Sequence, residues 1–369
     1  MEGTAAGIGE DRGVSDRPRR FLVCPDSFKG TLAAPAVAAA IGEGLAAAGA
    51  EADLCPAADG GEGTAETVRV ALGGEVRTAP VHDPLGRPIE AAFALVEDGA
   101  TAVVDTAAAS GLPLVAGSEP DATGKSAGSS IAFAATPSPR DAEAASTYGT
   151  GELIAAAIDA GARRVLLAAG GSATTDGGVG AIRALRERGG LGGAPLAVLS
   201  DVRTTFEDAA RVFGPQKGAD PATVARLGER LGRVAVELPR DPRGVPMGGA
   251  AGGLSGGLWA AFGAELRPGA EFVLDLLRFD RRLRACDAAI TGEGRIDPQS
   301  LEGKIVGQIA ARCAAAGRDL HVVVGQDALD RTLLGTLPIR SIREAGTAAA
   351  IRAAAQAIAA QAIATPPPG

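Results

Sequence analysis

Histidine is almost missing from this chain: 369 residues contain two, His82 and His321, far apart in sequence. A His-rich zinc site or a Ser-His-Asp relay therefore has little to be built from. The four cysteines, Cys24, Cys55, Cys286 and Cys313, show no C-x-x-C spacing and read as reduced core thiols. No uncharged apolar run reaches the length of a membrane span, and residues 1–20 lack the apolar core of a secretory signal. The expectation is a cytoplasmic protein with a disordered N-terminus over 1–20 and no membrane partner. Net charge is -8, with no basic block, so nucleic acid is not an expected partner either. No G-x-G-x-x-G occurs, which weakens a nicotinamide-dependent dehydrogenase.

Lysine is the other scarcity. Of 36 basic residues only Lys29, Lys125, Lys217 and Lys304 are lysine. A lysine kept among so many arginines marks a place suited to a compact point charge, as phosphate or carboxylate contact requires. Chemistry here must rest on carboxylates, lysines, hydroxyls and backbone amides.

What is present is a 46% hydrophobic chain, enough to build a core, with room for two ordinary domains or one large one. Short apolar stretches repeatedly run into Gly/Asp/Ser-rich turns and then into Ala-rich helical patterns, the arrangement of an α/β fold. Strands are expected at 21–24, 52–55, 164–169, 288–290 and 320–324, each delivering a polar turn at its carboxyl end, where open α/β sheets bind ligands. Residues 76–115 read instead as hairpin material around Asp98 and Gly99, and 202–284 mix helix with the Gly-rich MGGAAGGLSGGL. The economical division is a discontinuous parallel-sheet domain (21–75, 147–201 and 285–364) interrupted by a mixed α/β domain (76–146 and 202–284), with a cleft between them. Residues 116–146 and the Pro-rich tail read as flexible.

Five turns carry candidate chemistry. PDSFKG sets Asp26, Ser27 and Lys29 after a strand and near a helix start, where free amides favour an anion. In ADGGEGT, Gly60, Gly61 and Gly63 surround Glu62 and leave Asp59 on a backbone that phosphate or metal can approach. GGSATTDGG offers Ser172 and Asp176; the carboxylate suits either magnesium or a plain turn cap. GPQKGAD presents Lys217, and TGEGRIDPQSLEGK gathers Glu293, Arg295, Asp297 and Lys304. GSEPDATGKS is not a Walker loop, because six residues separate its Gly from GKS where four are needed. Several glycine-lined anion sites without histidine point to phosphoryl transfer, which relies on positioning and charge stabilisation.

Taken together and in order, PDSFKGTL, ADGGEGT, DPLGRP, ASGLPL, TYGTGELI, GGSATTDGGVGA, SDV, FGPQKGA, GAAGGLSGGL and ITGEGRIDPQSLEGK resemble the type 1 glycerate kinase family over about residues 21–325. The resemblance implies ATP- and Mg²⁺-dependent phosphorylation of D-glycerate, commonly to 2-phosphoglycerate, on a Rossmann-like domain carrying an inserted α/β domain. It implies site residues at Asp26, Ser27, Lys29, Asp59, Glu62, Ser172, Asp176, Asp201, Lys217, Glu293, Arg295, Asp297 and Lys304. Asp176 and Asp201 are expected near magnesium or the acceptor hydroxyl, Lys29 and Lys217 on phosphate or carboxylate, and Arg295 on developing phosphoryl charge. The chain departs from the family pattern after Asp201 and Val202, where RTTFEDAARV is shorter. A related hydroxy acid as substrate, or a ligand-binding member without turnover, are the alternatives.

Overall fold

The computed structural model describes residues 17–28, 31–115, 137–301, 303–335 and 337–364. Lys29, Lys125, most of the 1–20 and 116–146 segments and the Pro-rich tail lie outside the described residues.

Among the described residues, eleven strands form two sheets: β1 (Arg20–Val23), β2 (Glu51–Leu54), β3 (Glu75–His82), β4 (Pro88–Val96), β5 (Thr101–Asp105), β6 (Arg164–Ala168), β7 (Leu196–Leu199), β8 (Glu265–Arg267), β9 (Ala288–Ile296), β10 (Asp319–Asp327) and β11 (Ile339–Glu344). The first sheet is wholly parallel in the order β11-β10-β9-β1-β2. The second runs β3-β4-β5-β6-β7-β8, antiparallel through β3, β4 and β5 and parallel from β5 to β8. The fold is α/β, a parallel sheet combined with a second, mixed sheet.

Alternation along the strands explains the layering. In β1, Leu22 faces one core while Phe21 and Val23 face another; in β6, Leu166 and its neighbours Val165 and Leu167 divide in the same way. Helices cover both faces of each sheet, so the parallel strands are apolar on both sides and read as short continuous runs such as RFLV and LAVL. Helices Thr64–Leu72, Gly269–Leu276 and Ile305–Ala316 contribute to a single core that also takes side chains from both sheets. Helices Ala34–Ala47 and Ala348–Ala364 close the outer face of the first sheet, and Tyr148–Asp159, Val179–Glu187 and Leu254–Phe262 the outer face of the second.

Three expectations are corrected. Segment 147–201, grouped by sequence with the first sheet, supplies β6 and β7 to the second. Short apolar strands carry no label for their partner, and β6 is captured by β5 and β7. Part of the 116–146 segment is ordered: Pro139–Ala144 is a helix whose Ser138 and Asp141 form a capping box. Arg17, within the stretch read as disordered, ion-pairs with Asp287 at 2.6 Å, and Arg20 already belongs to β1. The hairpin around Asp98 and Gly99 is present between β4 and β5.

Candidate active site

In the first sheet β2 lies on one side of β1 and β9, β10 and β11 on the other, so the strand order switches direction at β1. Such a switch opens a crevice beyond the carboxyl ends of the strands. Asp26 and Ser27 follow β1 there, the Asp26 amide donating to the Gly292 carbonyl of β9 at 2.8 Å. The second sheet aims its own carboxyl ends at the same place: Gly170–Ser172 after β6, and Ser200 and Asp201 after β7.

The result is a cleft in two compartments. One, of about 770 Å³, is lined by Asp26, Ser27, Asp59, Gly60, Gly61, Glu62, Ser172, Asp201, Lys217 and Lys304. The other, of about 460 Å³, is lined by Glu293, Arg295, Asp297 and Gln326, and again by Asp26, Ser27, Asp59 and Lys304. Thus the two compartments share a wall. Of the residues named from sequence, Asp176 lines neither, and Lys29 lies outside the described residues.

Two backbone approaches bring the loops together. A Cβ at Gly170 would stand 2.5 Å from the Gly61 Cα, and one at Gly269 would stand 2.1 Å from the Asp59 carbonyl oxygen. Only glycine allows these loops from the two sheets to touch.

Asp201 reaches the cleft from β7 and its carboxylate accepts from the Ala270 amide at 3.2 and 3.3 Å. Burial, and then the negative charge of Asp59 from the first sheet, push its carboxyl up to about 7 against the pull of Lys304. Asp59 itself accepts from the Gly61 amide at 3.0 Å. Lys217 is 3% exposed and donates to Ser172 Oγ at 3.1 Å and to the Thr174 carbonyl at 2.6 Å. Burial lowers its ammonium to about 7, and the charge of Asp176 opposes that shift. Lys304 sits at the start of helix Ile305–Ala316, where its side chain serves the wall common to both compartments. Asp297 holds its own turn, accepting from the Gln299 amide at 2.9 Å, while lining the smaller compartment.

Two acidic residues change meaning once placed. The resemblance places Asp176 near magnesium or the acceptor hydroxyl. Its carboxylate is instead filled by the Thr147 amide and hydroxyl at 2.9 Å each, the Gly178 amide at 3.0 Å and the Gly180 amide at 3.2 Å. It organises the start of helix Val179–Glu187, and Thr147 links TYGTGELI to it by accepting from the Ala181 amide at 3.0 Å. Asp105, which drew no notice in the sequence, ends β5 and accepts from the Gly63 and Ala65 amides at 2.9 and 3.0 Å. The free amides at the start of helix Thr64–Leu72 thus receive a carboxylate from within the fold. Burial raises the Asp105 carboxyl to about 6 against those two hydrogen bonds. DPLGRP is likewise a built turn, with Asp83 accepting from the Leu85 and Arg87 amides at 2.9 Å each.

Sequence reasoning also passed over Ser200, Gln216 and Thr31 in the larger compartment and Gln326 in the smaller. Gln326 adjoins the end of the strand expected at 320–324, and Ser200 precedes Asp201 in the SDV segment; those positions were the available signal. Thr31 and Gln216 flank residues already singled out, with nothing in type or spacing to mark them. Among the described residues no group of three or more His, Cys, Asp or Glu is arranged to hold a metal ion, and no helix is long and apolar enough to cross a membrane.

The model of the glycerate kinase family matches residues 21–190 and 186–365. The chain is 36% identical to glycerate 2-kinase of Escherichia coli K12 over 78% of this chain and 80% of that protein. It is 36% identical to a glycerate kinase of Halalkalibacterium halodurans, covering 83% and 85% of the two chains. A crystal structure from Salmonella typhimurium LT2, described as a glycerate kinase 2, superposes with a TM-score of 0.73 at 30% identity, covering 94% of this chain and 99% of that one. With the family model spanning nearly the whole sequence and the same fold beneath it, this chain belongs to the glycerate kinase family.

Proposed function

We propose that the chain transfers the γ-phosphoryl group of ATP to D-glycerate, giving 2-phosphoglycerate. The observation that carries this reading is the shared wall. Two compartments for two ligands meet at Asp26, Asp59 and Lys304, and a group can pass between ligands only where they meet. The lysine there supplies compact positive charge to a transferring phosphoryl group, and Arg295 adds a second cation from the smaller compartment.

The donor set fits magnesium carried with the nucleotide. Asp59 and Asp201 enter one compartment from opposite sheets, and the charge of Asp59 disfavours charge on Asp201, a conflict that a divalent cation relieves. Magnesium commonly takes one or two protein carboxylates and leaves its other positions to phosphate and water. The ion would neutralise charge developing on the phosphates. Asp201, held by Ala270, is also placed to accept the proton of an acceptor hydroxyl, and burial keeps its basicity near neutrality.

Coupled ADP release with D-glycerate, Mg²⁺ and ATP, followed by phosphorus NMR of the product, tests the reading. A 2-phosphoglycerate signal is expected. A 3-phosphoglycerate signal overturns the regiochemistry, and turnover confined to another hydroxy acid overturns the substrate.

A further inference from the structure

Behind the shared wall lie two thiols that the proposed reaction leaves unused. Cys24 follows β1 and Cys55 follows β2, and both are free and wholly buried. The parallel register pairs Val23 with Leu54, so the next positions, Cys24 and Cys55, stand side by side. The ladder continues through them: the Cys55 amide donates to the Val23 carbonyl at 2.8 Å, and the Ala57 amide to the Pro25 carbonyl at 2.9 Å. Both side chains enter the same core, with Leu22 and Ala57 as their neighbours along the strands. Adjacent strands stand about 4.8 Å apart, within the Cα separation of about 4.4–6.8 Å that a disulfide spans.

Position gives the pair its consequence. Cys24 stands two residues before Asp26 and Cys55 four before Asp59, and these carboxylates belong to the wall common to both compartments. Pro25 and Pro56 follow the two cysteines directly, so a displacement at either sulfur passes into a segment with little freedom to absorb it. A disulfide draws its sulfurs to about 2.05 Å, far inside van der Waals contact, and must pull the ends of β1 and β2 together.

We infer that Cys24 and Cys55 are an oxidisable dithiol, a modification site for hydrogen peroxide, whose closure to a disulfide displaces Asp26 and Asp59 and stops turnover in the cleft. The Cys55 sulfur attacks one peroxide oxygen, the O–O bond breaks, and the departing hydroxide leaves as water with the Cys55 proton. Cys24 then attacks the sulfenic sulfur, the S–O bond breaks, and the hydroxyl leaves as a second water with the Cys24 proton. Two thiols thus lose two electrons and two protons, peroxide becomes two waters, and a dithiol reductant reverses the change. The order of attack follows from the surroundings. A hydrogen bond from Cys24 holds the Cys55 thiol below its ordinary value against burial, with help from the Arg282 guanidinium, while burial above all raises Cys24. Burial likewise pushes Cys286 up to about 11 and Cys313 up to about 12, which keeps both as unreactive thiols. β2 is the edge strand of its sheet and Leu54, beside Cys55, is exposed, so local opening there admits a molecule as small as peroxide.

The test treats the reduced protein with hydrogen peroxide and maps its peptides without reduction, alongside ADP release. A Cys24–Cys55 cross-link is expected, with two of the four thiols lost, ADP release down at least tenfold, and both recovered with dithiothreitol. Cys55→Ala should abolish the cross-link and keep turnover through the treatment, whereas Cys286→Ala should behave as the parent. Four thiols still titrating after treatment, or Cys24 joined to Cys313, overturns the inference, and this arm needs no variant to fold. A complete Cys24–Cys55 cross-link with unchanged turnover overturns its control of the cleft. The turnover arm rests on the kinase reading: if the reduced protein releases no ADP with any hydroxy acid, that reading fails, and the peptide map still decides the modification site.

Discussion

Replacing Asp176 by alanine separates a carboxylate that builds the site from one that acts on a ligand. In the structure its two oxygens accept four hydrogen bonds, three from backbone amides and one from the Thr147 hydroxyl. Asp176 is 8% exposed, so alanine leaves those donors with little water to turn to. Each buried donor without an acceptor costs about 1–3 kcal/mol. The Thr147 hydroxyl can rotate and some water can enter, so the expected loss is about 3–5 kcal/mol in all rather than the full sum. Asparagine retains one acceptor oxygen but turns an NH₂ toward donors, and should lose roughly half as much. Urea unfolding followed by circular dichroism reads the loss as a lower midpoint at unchanged slope. ADP release per folded molecule should fall far less than stability does. If Asp176→Ala unfolds within about 1 kcal/mol of the parent while kcat drops a hundredfold or more, the carboxylate acts on the ligand and the structural assignment is wrong.

Asp201→Asn should lower kcat by roughly 10²–10⁴-fold, as loss of a general base does, and remove a rising limb of the pH–kcat profile. That limb lies at or below about pH 7, because burial raises the carboxyl to about 7 and a cation beside it pulls it down, and it must be ionised to accept a proton; kcat within a few-fold of the parent removes Asp201 from the chemistry. Gly170→Ala sets a Cβ 2.5 Å from the Gly61 Cα and should cost about 1–3 kcal/mol and raise KM. Gly228→Ala, in helix Pro221–Glu237 with open space around it, should stabilise by about 0.5–1 kcal/mol, and equal thermal shifts in the two variants contradict the packing argument. His321 is lowered from 6.5 to about 4 by burial, so the unfolded chain protonates first as pH falls. Stability should therefore drop by about 3 kcal/mol between pH 6.5 and 4, and His321→Gln should flatten that part of the pH–stability curve.

How far the sequence reached can be followed residue by residue. Strand-to-turn transitions were legible because an apolar run followed by Gly and Asp has few other readings, and the residues after β1, β2, β6 and β9 do meet at the cleft, whereas β7, which delivers Asp201, carried no such signal. Lys217 and Lys304 were marked by the rarity of lysine, and both line it. Pairing was not legible: β6 joins the second sheet through contacts with β5 and β7 that its own five residues do not encode. Nor was the difference between Asp176 and Asp201, each beside a strand-end turn. It lies in the donors around each carboxylate, and Thr147 is 29 residues from Asp176 in the chain. Asp105 was invisible for the same reason, since the amides that it receives are 42 and 40 residues away. His321 stands in β10 between β9 and β11, where burial accounts for its depressed basicity, and nothing in its sequence surroundings announced that.

The wall common to the two compartments also bears on inhibition. Because Asp26, Asp59 and Lys304 face both, the occupant of one side alters the surroundings met by the occupant of the other. Whatever factor one ligand imposes on its neighbour's affinity must be returned equally. If the compartments take the acid and the nucleotide of the proposed reaction, a molecule joining an anionic acid to a polyphosphate through a short tether would reach across that wall with a high effective concentration for its second half, and exceed either fragment's affinity without a new contact.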